Sequence, residues 1–310
     1  MITRRDFLKS LPLAGVALGS IGKPGSAMAG APASAMGCLV DTSICEGCGR
    51  CEHECAVVND LIDKPKPICT PESRDTPNRR TDADHFTVVN HYDARTVDGQ
   101  ERHVHVKIQC MHCLNPSCVS ACIVGAITRD PKTGAVSYDA SKCIGCRYCM
   151  VACPFGIPAY EYLEPLTPRV RKCTLCFERL SAGQIPACAE ACPRQAITYG
   201  KREDLLKLAK QKIEMPPSPG RQHEPYVDKI YGENEVGGTA WLYLAQVPFG
   251  ELGFLDLPDQ APPRLTENIQ HGVFKHFVPP VALFALLGAV MYLFKRNDED
   301  SLDVKEQNNE

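Results

Sequence analysis

The sequence predicts an α+β fold made of short cysteine-bearing turns and small β-hairpins, with one apolar helix near the C-terminus. Sixteen of the 18 cysteines fall into four groups of four. The chain also contains 25 prolines and 23 glycines, which interrupt regular elements and favour short ones. A charge-free apolar run from Val278 to Phe294 predicts the helix.

Composition and charge exclude several classes of protein. With 310 residues, of which 44% are apolar, the chain has enough material for one large domain or two modest ones. Its net charge of -3 lacks the basic excess of dedicated nucleic-acid-binding proteins. Aromatic residues make up only 7%. This composition argues against a coiled coil, a polytopic membrane protein or an all-helical bundle as the main body.

Residues 1–35 have the features of a twin-arginine signal peptide. Arg4 and Arg5 precede a Phe-Leu-Lys segment, a mildly apolar stretch follows, and small residues near Ala29 offer a cleavage site. The alternative is a basic flexible terminus with an apolar helix. The apolar stretch is short and glycine-rich for a transmembrane helix. The signal predicts export of the folded body.

The cysteines repeat one spacing four times. In the first and third groups, two residues separate each of the first three cysteines and three residues precede the fourth. The second and fourth groups keep the outer gaps and stretch the middle one. The groups are Cys45, Cys48, Cys51 and Cys55; Cys110, Cys113, Cys118 and Cys122; Cys143, Cys146, Cys149 and Cys153; and Cys173, Cys176, Cys188 and Cys192.

The unstretched spacing is that of bacterial ferredoxins, in which such runs bind 4Fe–4S clusters. A turn with cysteine at every third position supplies three thiolates to one iron–sulfur cube, and the fourth cysteine binds the neighbouring cube. Gly47, Gly49 and Gly145 let the turns bend tightly and aim their N–H groups at sulfur. We therefore predict tandem bacterial-ferredoxin-like units with loop insertions, in which these sixteen cysteines bind four 4Fe–4S clusters. A cofactor inserted before export also suits the twin-arginine signal.

Disulfides and structural zinc sites are the alternatives for so many cysteines. Quartets at three-residue spacing are hard to pair as disulfides, and zinc does not need the third cysteine of each run. Cys38 and Cys69 lie outside the quartets, either as spare thiols or as one disulfide. Because the quartets are complete without histidine, a structural or surface role is favoured for His53, His112, His271 and His276.

A four-cluster domain is predicted over residues 36–213. Apolar alternation and turn residues predict strands over 86–89, 104–108, 126–128, 136–138, 196–199 and 241–244, and a surface helix over 203–212. Residues 214–277 are rich in proline. We expect them to form a linker, or an arm that wraps the domain or a partner.

The apolar run over 278–294 is predicted to be a transmembrane helix, with a buried core helix as the alternative, because it is apolar on all faces. At 1.5 Å per residue it is roughly 25 Å long, which a bilayer tolerates. Lys295 and Arg296 follow it, and such residues stay on the cytoplasmic side. Residues 295–310 are thus expected to be a cytoplasmic tail, with the body on the periplasmic face of a bacterial inner membrane.

Several segments together resemble the HybA-type iron–sulfur subunits of membrane-bound nickel–iron hydrogenases. They are the four quartets, residues 143–158, residues 231–249 and residues 267–277 before the terminal apolar helix. The resemblance implies a non-catalytic electron-transfer subunit. It would sit between the hydrogenase large and small subunits and a quinone-reactive integral membrane subunit. Beta subunits of formate dehydrogenases and other molybdenum oxidoreductases share the quartets, so such a subunit is the alternative.

The resemblance also implies that the first quartet pairs with the fourth, and the second with the third. Together with the crossing of the fourth cysteines, this pairing gives four ligand sets. They are Cys45, Cys48, Cys51 and Cys192; Cys173, Cys176, Cys188 and Cys55; Cys110, Cys113, Cys118 and Cys153; and Cys143, Cys146, Cys149 and Cys122.

A different class of function, an enzyme acting alone, would need a cluster with an open ligand position. All four groups of cysteines are full, which argues against such an enzyme.

Overall fold

A computed structural model describes residues 35–61, 78–96, 99–215, 225–263 and 284–294. Residues 30–264 form one compact unit, and the helix over 284–294 belongs to a second unit. The described part of the first unit has an α+β fold in which most elements are shorter than ten residues. The short elements leave many turns, and these turns carry the cysteines.

In chain order, the strands are β1 (Met36–Asp41), β2 (Thr87–Arg95), β3 (Glu101–Gln109), β4 (Ile127–Arg129), β5 (Val136–Tyr138), β6 (Ala159–Tyr160), β7 (Val170–Arg171), β8 (Ile197–Lys201) and β9 (Trp241–Leu244). The helices are α1 (Arg50–Val58), α2 (Ser117–Ser120), α3 (Tyr148–Ala152), α4 (Phe177–Ser181), α5 (Ala187–Glu190) and α6 (Arg202–Glu214).

A three-stranded sheet in the order β8-β1-β9 joins distant parts of the chain. Strand β1 pairs antiparallel with β8 and parallel with β9. All four residues of β9 are fully buried, because both faces of the strand are covered. On one face, Leu242 and Leu244 pack with Leu205 of α6. On the other, Trp241 and Tyr243 join the largest apolar cluster.

A long hairpin, β2–β3, lies between the first two quartets. Its strands pair in register from Thr87 opposite Gln109 to Arg95 opposite Glu101. The sequence predicted shorter strands, because polar residues such as His91 and His103 break the apolar alternation at the outer end. Buried Val88 and Val106 hold the inner end of the hairpin against the core.

The other predicted elements of the domain are confirmed. Strands β4 and β5 form the expected hairpin, with Ile127 opposite Tyr138. Strands β8 and β9 and helix α6 lie where the sequence placed them. Strands β1, β6 and β7 were not predicted. Residues 214–277 were expected to form a linker or a wrapping arm. Their described part, residues 225–263, contributes β9 to the central sheet of the domain.

The predicted transmembrane segment is described only from residue 284, where a helix with exposed side chains runs to residue 294. Within the described part of the chain, no helix is both long enough and apolar enough to cross a bilayer. Residues 1–34, 278–283 and 295–310 lie outside the described residues. The signal peptide, the membrane span and the cytoplasmic tail therefore stay predictions.

Candidate metal centres

The four quartets share one backbone turn. In each, the residue two places after the first cysteine has a positive φ. The N–H groups of Gly145 and Leu175 each donate to the sulfur two residues earlier, at 3.4 Å. Glycine adopts this conformation freely, whereas a side chain is held there by its surroundings. The four residues and their φ angles are Gly47 (63°), His112 (46°), Gly145 (70°) and Leu175 (55°).

A short helix in each quartet carries the third cysteine. That cysteine is the second residue of the helix in every quartet, as Cys51 is in α1. The fourth cysteine comes four residues later. Cys55 is still within α1, about 6 Å further along the helix axis at 1.5 Å per residue. In the other three quartets the helix ends before the fourth cysteine.

The first predicted ligand set contains thiols that lie near one another. Burial raises the pKa of Cys45 to about 11, opposed by a hydrogen bond from the N–H of Gly47. The nearby thiols of Cys192 and Cys48 raise it further. The pKa of Cys51 is also raised, chiefly by burial and in part by Cys45. Cys192 belongs to the fourth quartet by sequence, so the fold brings the first and fourth quartets together.

The second set surrounds a cavity. Burial raises the pKa of Cys55 well above its ordinary value, with further contributions from Cys173, Cys188 and Cys176. These four cysteines line one cavity together. The amide of Asn59 lies 3.6 Å from the sulfur of Cys55 and donates to it. Three cysteines of the fourth quartet thus meet the last cysteine of the first.

The third set brings the second quartet to the last cysteine of the third. Burial raises the pKa of Cys113 strongly, and the thiols of Cys110, Cys153 and Cys118 raise it further. Burial likewise raises the pKa of Cys118 to about 12, with Cys110 and Cys153 among the contributors. The four thiols therefore form one group.

The fourth set lines a second cavity, which contains Cys122, Cys143, Cys146 and Cys149. Burial raises the pKa of Cys149 to about 11, and the other three thiols raise it further. The N–H of Ala126 donates to the sulfur of Cys122 at 3.2 Å. The last cysteine of the second quartet thus meets the first three of the third.

These groups suit a metal cluster better than disulfides or single ions. All seventeen described cysteines are free; Cys69 lies outside the described residues. In the described chain, the group close enough to share one ion consists of histidines and contains no cysteine. Four thiolates gathered in one set would repel one another, and binding to positively charged iron would offset that repulsion. Binding of iron by the four sets stays a prediction.

Two buried lysines accompany the thiols, and neither was predicted from the sequence. The Nζ of Lys107 donates to Gln109 Oε1 at 2.8 Å and lies 4.4 Å from the centre of the Trp241 ring. Burial lowers its pKa, but the thiols of Cys188 and Cys51 outweigh burial and the pKa is raised overall. The position of Lys107 in the strand that leads to Cys110 could have drawn attention to it.

The second buried lysine, Lys172, immediately precedes Cys173. Its Nζ donates to the carbonyls of Val136 and Cys173, the latter at 3.1 Å. Its charge lowers the pKa of Cys118 against the larger effect of burial. Lys172 lies near Cys118 of the second quartet, and Lys107 lies near thiols of the first and fourth.

Cys38 and the histidines, to which the sequence assigned no cluster, lie outside the four ligand sets. Cys38 is a buried free thiol in β1. His112 is fully buried, and its Nδ1 accepts a hydrogen bond from the N–H of Val136 at 2.9 Å. Burial holds the pKa of His112 well below its ordinary value. A neutral, hydrogen-bonded imidazole agrees with the predicted structural role. His271 and His276 lie outside the described residues.

Comparison with known proteins points to one class. Residues 102–202 match the family described as 4Fe-4S dicluster domain. The Hydrogenase-2 operon protein HybA of Escherichia coli O157:H7 is 34% identical over 96% of this chain and 97% of its own. A formate dehydrogenase iron–sulfur subunit of Haemophilus influenzae is 33% identical over 82% of this chain and 77% of its own. A Nitratidesulfovibrio vulgaris protein is 45% identical over 81% of this chain, which spans 66% of that protein, just under two thirds.

Proposed function

This chain belongs to the family of HybA-like iron–sulfur subunits, and on that premise we propose that it carries electrons between a periplasmic hydrogenase heterodimer and a quinone-reactive integral membrane subunit. When bound, four 4Fe–4S clusters supply one-electron transfer between neighbouring sites. Each quartet provides four thiols, which leaves no cluster corner open for a substrate. In this proposal the chain has no catalytic chemistry of its own.

The observation that carries the proposal is the order in which neighbouring thiol sets lie in the fold. Cys51 and Cys188 belong to one apolar cluster, Cys173 and Cys110 to a second, and Cys118 and Cys149 to a third. In each of these pairs the charge of one thiol also raises the pKa of the other. These proximities order the four sets in one line. It runs from the set of Cys45, through those of Cys173 and Cys110, to that of Cys143. A line of neighbouring redox sites with two ends is what a relay between two partners needs.

One end of this line lies at an apolar surface. Cys146 is exposed. Beside it in the same quartet, Ile144 is 62% exposed and Val151 is 86% exposed. Leu163, which is 98% exposed, follows a tyrosine whose ring lies 6.0 Å from the guanidinium of Arg147. Clustered exposed apolar residues are typical of interaction surfaces. We propose that a partner subunit covers this surface and exchanges electrons with the site of Cys146.

Iron content tests the proposed relay most directly. Four full ligand sets should hold about sixteen irons per chain in protein purified anaerobically. The measurement is iron per chain by elemental analysis, with the spin state of the reduced clusters by electron paramagnetic resonance. About eight irons, or zinc filling the quartets in place of iron, would contradict the proposal.

We propose that residues 278–294 anchor the chain in the inner membrane. Deleting residues 278–310 should shift most of the body to the soluble fraction, because about 17 mostly apolar residues no longer partition into the bilayer. Partner subunits are expected to retain the remainder. The matched control deletes only residues 297–310 and should stay in the membrane fraction. If the full chain, without partners, remains soluble in the absence of detergent, residues 278–294 are not an anchor.

The identity of the catalytic partner separates the proposal from its alternative. Formate dehydrogenase iron–sulfur subunits are relatives at similar identity, but the match with HybA covers more of both chains. This coverage favours a hydrogenase partner. Co-purification with a nickel-containing subunit would support that choice. Co-purification with a molybdenum-containing subunit would make the chain a formate dehydrogenase-type beta subunit.

A further inference from the structure

Three histidines and one aspartate lie on one face of the β2–β3 hairpin. In the register of the hairpin, His91 lies opposite His105, and Asp93 lies opposite His103. Residues two apart on a strand share a face, and residues directly opposite have their Cβ atoms about 5 Å apart. The four side chains therefore form a compact square on the hairpin.

One ring nitrogen from each imidazole of this square lies close to the other two. The Nδ1 atoms of His91 and His105 are 2.7 Å apart. One ring nitrogen from each of His91, His103 and His105 lies within 4.8 Å of the other two. The ring of His105 meets each of the other two edge-on, at 4.8 Å between ring centres. Three imidazole nitrogens thus surround a single point.

We propose that this hairpin face binds one divalent d-block metal ion of the Zn²⁺ class through His91, His103 and His105. Zinc–nitrogen bonds of about 2.0–2.1 Å in a tetrahedron require nitrogens roughly 3.4 Å apart. The Nδ1 atoms of His91 and His105 are closer together than that, and all three nitrogens lie within 4.8 Å of one another, so rotations of the rings would bring them into place. Imidazole is a preferred ligand of zinc, copper and nickel.

Asp93 supports the proposal independently of the three histidines. Its Oδ1 lies 2.7 Å from the Nδ1 of His103. Histidines that bind metal commonly donate their second N–H to a carboxylate, which fixes the ring and makes the free nitrogen a better ligand. Asp93 therefore orients His103 so that its Nε2 is left for the metal. Because His103 is half exposed, water can occupy the fourth coordination position.

The site adjoins the first quartet. A Cβ at Gly47 would come within 2.5 Å of the Nδ1 of His105, so the imidazole packs directly on the turn between Cys45 and Cys48. A metal held by His105 would be next to that turn without using any of its cysteines. The site is thus separate from the four thiol sets and depends on none of them for its ligands.

Zinc titration of cluster-loaded, full-length protein tests the site. The protein is washed with EDTA under anaerobic conditions and titrated with Zn²⁺ against a chromophoric chelator, while iron per chain is followed. One zinc should bind per chain with no loss of iron. The His103→Gln/His105→Gln double variant, which retains one ligand, should bind zinc at least 100-fold more weakly. Asp93→Asn should bind it about 10- to 100-fold more weakly.

The control variant is His85→Gln. His85 lies outside the hairpin, and it is also paired with an aspartate, Asp82. It should bind zinc like the unmodified chain. Asp93 is 91% exposed, so Asp93→Asn tests the site even if the double variant fails to fold. Zinc binding with unchanged affinity in Asp93→Asn, or in a folded double variant, would overturn the proposal. Absence of binding by the unmodified protein at micromolar Zn²⁺ would overturn it as well.

Discussion

Replacing Cys143 with alanine should abolish hydrogen-dependent quinone reduction and leave dye-linked hydrogen oxidation intact. Cys143 lines one cavity with three other cysteines, and its sulfur accepts a hydrogen bond from Gly145. Removing it leaves three thiols in the set at one end of the line. The cluster there should be lost or converted, with a decrease of one to about four irons per chain. In the proposed complex a small soluble dye would take electrons directly from the catalytic subunits, so its reduction would not need this set.

The matched control is Cys38→Ala. Cys38 is more deeply buried than Cys143 and lies in β1, but it belongs to no quartet. The variant loses one buried sulfur atom, which costs on the order of 1 kcal/mol of stability. It should keep both the iron content and quinone reduction. A decrease in Cys143→Ala alone therefore reports the set and not cysteine removal in general.

Both activities are measured in membranes in which the variant subunit is detected by immunoblot, because cluster loss also removes folding free energy. Dye-linked activity serves as the internal reference for the catalytic subunits. Quinone-linked oxidation at the normal rate in a strain that lacks the chain entirely would show that electrons take another route.

The quartets could be predicted because the spacing of their cysteines is a property of a short stretch of sequence. Three-residue spacing places thiols on one turn whatever the rest of the fold does. The shared φ at positions such as Gly47 and Leu175 confirms that the local structure repeats. The spacing also implied that the fourth cysteine binds a different cluster from the first three cysteines of its quartet. It did not indicate which quartet receives Cys55 or Cys153; that came from family resemblance and is a property of the tertiary fold.

Features that depend on pairing between distant strands were not predictable. Strand β1 follows the predicted signal peptide directly, and its partner β9 begins some 200 residues later in the chain. The square of His91, Asp93, His103 and His105 exists only in one register of β2 against β3. A shift by a single residue would turn one strand's side chains to the other face. A single sequence contains the residues but does not fix the register.

Lys107 was missed for a related reason. A lysine in a strand is ordinarily expected at the surface, since burying its charge without a partner is costly. Here the fold supplies the partners. Gln109 accepts a hydrogen bond, the ring of Trp241 in β9 lies beneath the ammonium, and the thiols of Cys51 and Cys188 lie nearby. Apart from the hydrogen bond to Gln109, these contacts do not follow from the local sequence, because three distant parts of the chain contribute them.

The Lys107→Met variant should lower the reduction potentials of the sites that contain Cys51, Cys173 and Cys188. A reduced cluster carries one more negative charge than the oxidised form. A fixed positive charge nearby therefore favours reduction, and its removal disfavours it. For a charge about 8 Å away at an effective dielectric constant near 20, the interaction is on the order of 2 kcal/mol. For a one-electron couple this corresponds to a decrease of roughly 90 mV.

Methionine keeps most of the buried apolar stem of Lys107, so the packing on Trp241 is largely retained while the charge is lost. The potentials are measured by redox titration with electron paramagnetic resonance detection. The site of Cys143 lies at the far end of the line and should shift least. Lys207→Met removes a lysine that is 72% exposed on α6 and should shift none of the potentials. A uniform shift of all four sites, or an increase at the sites near Lys107, would show that its charge does not act locally on those thiol sets.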